Sequence, residues 1–126
     1  MDIRKDYLYT KEHEWVSVDG DVATVGITDF AQSELGDVVF VEYPDLESEV
    51  TQFDPFGTIE AVKTVADLYA PVSGTVVEVN DNLEDQPELV NQDPYGEGWM
   101  VKIRLKDPAE LDALLSPLAY EELTAE

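Results

Sequence analysis

Lys63 is the only strongly basic side chain between Lys11 and Lys102, and it stands in the run Glu60-Ala61-Val62-Lys63-Thr64-Val65 within an otherwise acidic stretch. Two chemistries are open to such an amine. As a cation it can pair with Glu60 or Asp67 and do nothing more than sit in solvent. As a nucleophile, after losing a proton whose ordinary pKa is about 10.4, it can form an amide and become the attachment point of a prosthetic group. On this residue alone both readings stand.

The other reactive side chains carry less. His13-Glu14 lacks the second histidine of a helical zinc motif, and with no cysteine in the chain there is neither a thiolate ligand nor a thiol nucleophile, so no metal site is expected. No Gly-x-Ser-x-Gly elbow is present, and Ser73-Gly74 after Pro71 reads as a turn. Gly96-Glu97-Gly98 lacks the third glycine of a phosphate loop. Acid pairs occur throughout and identify no glycosidase, because in so acidic a chain they describe a solvated surface. Trp15, Tyr69 and Trp99 fall in strand patterns and are expected to pack.

Composition narrows the partners. The 29 acidic and 7 basic residues give a formal charge of -22, which excludes nucleic acid and anionic membrane surfaces as ligands. No apolar run approaches the roughly 20 residues that span a bilayer, and the start of the chain has no signal-peptide pattern, so a soluble cytoplasmic protein is expected. Self-repulsion at this charge is relieved only by screening, which points to a salt-rich host. The melting temperature should therefore climb between low and molar salt; a flat profile would remove the salt-adapted reading.

The elements that must position Lys63 are mainly short strands. Glu14 to Val18 and Val22 to Ile27 flank Asp19-Gly20, a hairpin turn pair. Thr28 or Asp29 caps a short helix through Phe30, Ala31 and Leu35, with Gly36 as its stop. Val38 to Tyr43 forms a third strand. Gly57 to Val62 and Ala66 to Ala70 pair around a bend that holds Lys63, although no glycine or proline marks that bend. Gly74 to Val79 is a further strand, and because Gly57 and Gly74 each open a strand-like segment, an approximate two-fold symmetry is hinted at. A helical turn is expected near Glu88-Leu89-Val90. A last strand should place Trp99, Val101, Ile103 and Leu105 toward the core. Asp107, Pro108 and Glu110 start a helix bearing Leu111, Leu114 and Leu115, and Ser116-Pro117 starts another bearing Leu118, Tyr120, Glu121 and Leu123. Without helix-length insertions between strands, the whole of 1–126 reads as one β-sandwich or barrel domain with C-terminal helices.

Phe56-Gly57-Thr58-Ile59-Glu60-Ala61-Val62-Lys63-Thr64-Val65-Ala66-Asp67-Leu68-Tyr69-Ala70-Pro71-Val72-Ser73-Gly74 closely resembles the lipoyl-attachment segment of the glycine cleavage system H protein family. Tyr9 to Val16, Val25 to Gln32 and Leu35 to Glu42 resemble that family's N-terminal half, and Val90-Asn91 with Asp93 to Met100 its C-terminal signature. The resemblance covers nearly the whole chain in one register. It implies a mainly β, barrel-sandwich hybrid fold of the lipoyl/biotinyl-domain type with peripheral and C-terminal helices, and lipoic acid as cofactor, amide-linked to Lys63. It implies a carrier rather than an enzyme. Such a carrier takes the aminomethyl group of glycine from the pyridoxal-phosphate glycine decarboxylase to the tetrahydrofolate-dependent aminomethyltransferase and is reoxidised by dihydrolipoyl dehydrogenase. Glu60 and Gly74 match positions associated with recognition by the lipoylating enzyme, and Glu14 and Asp67 match positions of the cleft that shelters the loaded arm.

This sequence departs from the pattern at Ala61, where serine is frequent, at Phe53, where glycine is frequent, and at Phe30 and Glu34, where some members carry histidine. Carrier domains of multienzyme complexes are a weaker match, since they show Asp-Lys-Ala or Met-Lys-Met around their lysine. An H-like protein acting as a lipoate relay or reservoir for other complexes remains an alternative.

Overall fold

The computed structural model describes residues 3–125; Met1, Asp2 and Glu126, the ends of the expected 1–126 domain, lie outside the described residues. Strand β1 (Leu8–Tyr9) leads into the expected hairpin of β2 (Glu14–Asp19) and β3 (Val22–Ile27). Asp19 pairs with Val22, which leaves Gly20 and Asp21 as a two-residue turn, and Gly20 takes the left-handed φ of 65° that this turn needs. Helix α1 (Asp29–Leu35) begins where the Thr28 side chain accepts the Ala31 N–H and stops at Gly36, φ 79°.

Strands β4 (Val38–Glu42), β5 (Glu49–Val50), β6 (Pro55–Ala61), β7 (Val65–Tyr69) and β8 (Gly74–Val79) follow. Single helical turns α2 (Asn82–Asp85) and α3 (Leu89–Gln92) precede β9 (Val101–Leu105), a 3-10 helix (Pro108–Ala113) and helix α4 (Pro117–Thr124). Among the described residues no helix is long and apolar enough to cross a membrane.

Among the described residues all strand pairs are antiparallel and form two sheets, one in the order β1-β2-β3-β9-β8-β5 and one in the order β4-β6-β7. One apolar cluster joins them: Val25, Val101 and Ile103 from the larger sheet meet Val41, Ile59 and Leu68 from the smaller. This is the two-layer, mainly β arrangement with peripheral helices that the sequence implied. Ile59 and Leu68 are almost wholly buried, each contributing about 1.5–3 kcal/mol, so the β6–β7 hairpin is anchored from its inner face. A second, aromatic cluster of Tyr9, Trp15, Tyr95 and Tyr120 lies apart from the first, and the Trp15 indole N–H donates to the Pro94 carbonyl at 2.9 Å.

The differences from the sequence reading are local. The last strand begins at Val101, not Trp99; Trp99 packs half-buried against the aromatic cluster while its carbonyl accepts from the Asn80 side chain at 2.7 Å. The helix after Asp107 is a 3-10 turn. Asp107 caps it as expected, but Glu110 does not complete a capping box: its carboxylate accepts the Ser73 N–H at 2.7 Å and the Ser73 hydroxyl at 2.8 Å. That bend leaves its amide without a strand partner, and a charge-assisted pair of hydrogen bonds is stronger than a solvent-exposed cap. Gly57 lies within β6 and Gly74 at the start of β8, so the two are not equivalent and the hint of two-fold symmetry gains nothing from them.

Candidate functional site

The bend between β6 and β7 is three residues long, Val62 to Thr64. Glu60 pairs with Val65, the Ala61 N–H donates to the Thr64 carbonyl at 2.8 Å, and the Val62 N–H donates to the Asp37 carbonyl at 3.0 Å. No residue of the bend has a positive φ, which is why neither glycine nor proline is needed there. The tie to Asp37 fixes the bend against the entrance to β4. It also turns Val62, 75% exposed, and Lys63 outward.

The Lys63 stem lies over Gly36: a Cβ built on Gly36 would come within 3.4 Å of Lys63 Cε and 3.8 Å of Nζ. The amine therefore rests at the C-terminal end of α1, where unpaired carbonyls attract a cation weakly. Neither Glu60 nor Asp67 pairs with it among the described residues. Asn91 holds this corner in place, accepting the Val38 N–H at 2.9 Å and donating to the Gly36 carbonyl at 2.7 Å. The asparagine of the C-terminal segment is thus a clamp on the ground beneath the lysine.

A groove of about 380 Å³ opens between α1 and the β6–β7 hairpin, and Lys63 itself is not among its lining residues. Leu35, Ile59 and Ala66 give it apolar walls, while Glu14 and Asp67 both line it, so the structure brings together the two residues assigned to the sheltering cleft. Glu12, Glu34 and His13 line it too, and no lysine or arginine does.

Glu14 is 1% exposed. Thr10 Oγ1 accepts the backbone N–H groups of Glu12 at 3.2 Å and Glu14 at 3.1 Å, so the hydroxyl proton is what reaches Glu14 Oε1; the Tyr69 N–H approaches Oε2 at 3.3 Å. These donors favour the carboxylate, but burial opposes it more strongly and pushes the Glu14 carboxyl up to about 8. At neutral pH the floor of the groove holds a largely protonated acid. His13 is shifted the other way, below its ordinary value, because burial disfavours the imidazolium more than Glu12 and Glu34 favour it.

Glu60 and Gly74 lie elsewhere. Glu60 is exposed beside the bend, flanked across the sheet by Phe40 and Val65, and lines no part of the groove. Gly74 is buried in the other sheet, where a Cβ would run into the Arg104 carbonyl oxygen and come within 2.8 Å of Ile103 Cγ2. Since a neighbouring backbone cannot step aside cheaply, Gly74→Ala should lower unfolding stability by about 3 kcal/mol, read from the urea midpoint; an unchanged midpoint would show that β8 and β9 can part without cost.

Sequence reasoning missed Tyr69, His13 and Phe30 as groove residues, and Thr10 as the partner of Glu14. Thr10 had a local signal, a threonine two residues before Glu12 whose hydroxyl can accept that N–H. The others meet only through the fold.

Residues 7–126 match the family described as glycine cleavage H-protein. Among curated proteins, the glycine cleavage system H protein of Staphylococcus carnosus is 54% identical over 126 residues, covering all of both chains. That of Carboxydothermus hydrogenoformans is 55% identical, covering 98% of this chain and 95% of the relative, and that of Symbiobacterium thermophilum is 60% identical, covering 96% and 94%. The crystal structure of a glycine cleavage system H protein from Mycobacterium marinum superposes with a TM-score of 0.88 at 39% identity, covering 95% of this chain and 97% of that one.

Proposed function

Because the chain belongs to the glycine cleavage H-protein family, the lipoyl carrier of the glycine cleavage system, we propose that Lys63 is its lipoyl-attachment residue and that the chain works as a shuttle. In this reading the single 1–126 domain carries the aminomethyl group of glycine from the decarboxylase to the tetrahydrofolate-dependent aminomethyltransferase and is then reoxidised by dihydrolipoyl dehydrogenase, in the cytoplasm and without turnover of its own. The observation that carries it is the placement of Lys63: exposed, unpaired among the described residues, and borne on the bend of the hairpin whose Ile59, Ala66 and Asp67 line the groove, with its stem over Gly36 at the end of the helix that forms the other wall.

The residues present fit a lipoyl group. An amine with no ion pair to break is open to a ligase, and Leu35, Ile59 and Ala66 offer apolar surface to a hydrocarbon arm. Lipoic acid, when bound, supplies the disulfide that accepts the aminomethyl group. The chain holds no cysteine that could trap such a sulfur as a mixed disulfide. Asp67 draws a cationic nitrogen toward the groove, and a cation that reaches Glu14 favours release of its proton, after which the carboxylate adds to the attraction.

Glu60 serves the lipoylating enzyme as a contact beside the lysine, and Gly74 serves it through the backbone path from β7 to β8 that holds the hairpin. The excess acid on the remaining surface suits a concentrated-salt cytoplasm.

The test is reconstitution of the lipoylated chain with the decarboxylase and the aminomethyltransferase. Glycine-dependent methylene transfer to tetrahydrofolate is expected. Its absence, with lipoyl groups passing instead to other complexes, would leave a relay.

A further inference from the structure

We propose that Tyr120 is a positioning residue for the groove: its hydroxyl ties the C-terminal helix to His13 and to the cap of α1, and so holds the wall against which the carried group is sheltered. The proposal rests on the carrier reading above for the word sheltered, and on geometry alone for the rest.

Tyr120 is fully buried although it comes from an eight-residue helix near the end of the chain. Its hydroxyl lies 2.6 Å from Thr28 Oγ1 and 2.9 Å from His13 Nδ1. Thr28 is the N-cap of α1, its side chain accepting the Ala31 N–H at 3.2 Å, and its own backbone N–H donates to the His13 carbonyl at 3.0 Å. One hydroxyl therefore touches both residues at the start of the wall. His13 carries the contact onward, its ring 4.7 Å from that of Phe30 on α1, and both rings line the groove.

Two features argue that this is more than packing. His13 has φ 72°, a strained setting for a histidine, which persists only where surrounding bonds overdetermine it. The Tyr120 ring is separately secured, stacked on Tyr9 at 4.6 Å, while Tyr9 and Leu115 exchange backbone hydrogen bonds of 2.9 and 2.7 Å just before the helix. The anchor and the working hydroxyl are thus distinct, so removing the hydroxyl leaves the anchor.

Tyr120→Phe separates them. The chain has a single histidine, so its imidazole signal in a proton NMR titration belongs to His13 without assignment. The groups facing that ring are Glu12 on its own loop, Glu34 on α1, Glu14 on β2 and Asp67 on β7, all acids, and burial is what holds the imidazole below its ordinary value. Freed from Tyr120, the ring gains solvent among those acids, and its midpoint should rise by about half a pH unit or more. In the lipoylated, glycine-loaded protein the carried group should be lost to water as formaldehyde and ammonia about two- to tenfold faster, the range of one hydrogen bond.

Thr28→Ser, which keeps the hydroxyl, should match wild type in both readouts. If Tyr120→Phe fails to fold, Thr28→Val cuts the Tyr120–Thr28 bond together with the α1 cap and leaves Tyr120 on His13, so it is read by the release rate alone: faster loss is expected, and an unchanged rate overturns the inference. In Tyr120→Phe an unmoved His13 midpoint overturns the inference, and so does a moved midpoint with an unchanged release rate, since the hydroxyl would then order the histidine and not the wall. A wild-type chain that never takes up a group from glycine would overturn the carrier reading, and with it the sheltering, while the titration still decides the positioning.

Discussion

Lys63→Arg should give a folded chain whose intact mass never shows the lipoyl increment and which supports no glycine-dependent methylene transfer. The loss is expected to be complete because the substitution removes the chemistry and little else. Arginine keeps the positive charge and the long stem that lies over Gly36, and an exposed side chain without an ion pair changes stability by no more than about 0.5 kcal/mol. What arginine lacks is a nitrogen that can be deprotonated and acylated; its guanidinium stays protonated at any pH the fold survives. The melting curve of the variant should overlay that of wild type, which separates loss of attachment from loss of structure. A lipoyl increment persisting in the variant would move the attachment to Lys5, Lys11, Lys102 or Lys106 and end the assignment.

Local chemistry made much of this fold legible. The β2–β3 turn follows from Asp19-Gly20, and α1 from Thr28 and Gly36, because each signal acts within four residues of where it is written. β1 and β5 were not legible, since two residues are too few to show a period. At the site, Lys63 could be found by its isolation and its flanks. The groove could not, as its walls come from the loop before β2, from α1 and from both strands of the hairpin, and no single segment shows its shape. Glu14 is the sharpest case. Its sequence context is an ordinary strand acid, and only the packing of Tyr69 and Thr10 around it shows that the carboxyl is out of water.

Phe53 shows the opposite limit. It was visible as a departure, standing where glycine is frequent, and the structure supplies the reason: the residue has φ 68°, in the left-handed region that favours glycine. Its N–H still donates to the Ala70 carbonyl at 2.6 Å, so the backbone path is kept at the cost of strain.

The burial of Glu14 has a measurable consequence. Its carboxyl titrates at about 8 in the folded chain against an ordinary value of 4.5, so between those values the folded state binds a proton that the unfolded chain has released. Stability from this group is therefore fully present below pH 4.5, falls as pH rises toward 8, and is gone above it. At about 1.4 kcal/mol per pH unit, that interval bounds the loss at on the order of 5 kcal/mol.

Glu14→Gln should abolish the slope, because an amide of nearly the same shape has no proton to lose; its single oxygen accepts from Thr10 or from Tyr69 but not from both, a cost that is the same at every pH. The difference in unfolding free energy between wild type and variant, measured by urea titration at half-unit steps from pH 5 to 9, isolates the effect. His13 is shifted below its ordinary value and so adds stability as pH rises, the opposite sense, but it does so in both chains and cancels in the difference. The variant should gain on wild type by several kcal/mol across the range and hold that gain above pH 8. A constant difference from pH 5 to 9 would mean that Glu14 is already ionised at the bottom of the range. The floor of the groove would then be a fixed negative charge, and a cation entering it would find a carboxylate in place, with no proton to displace.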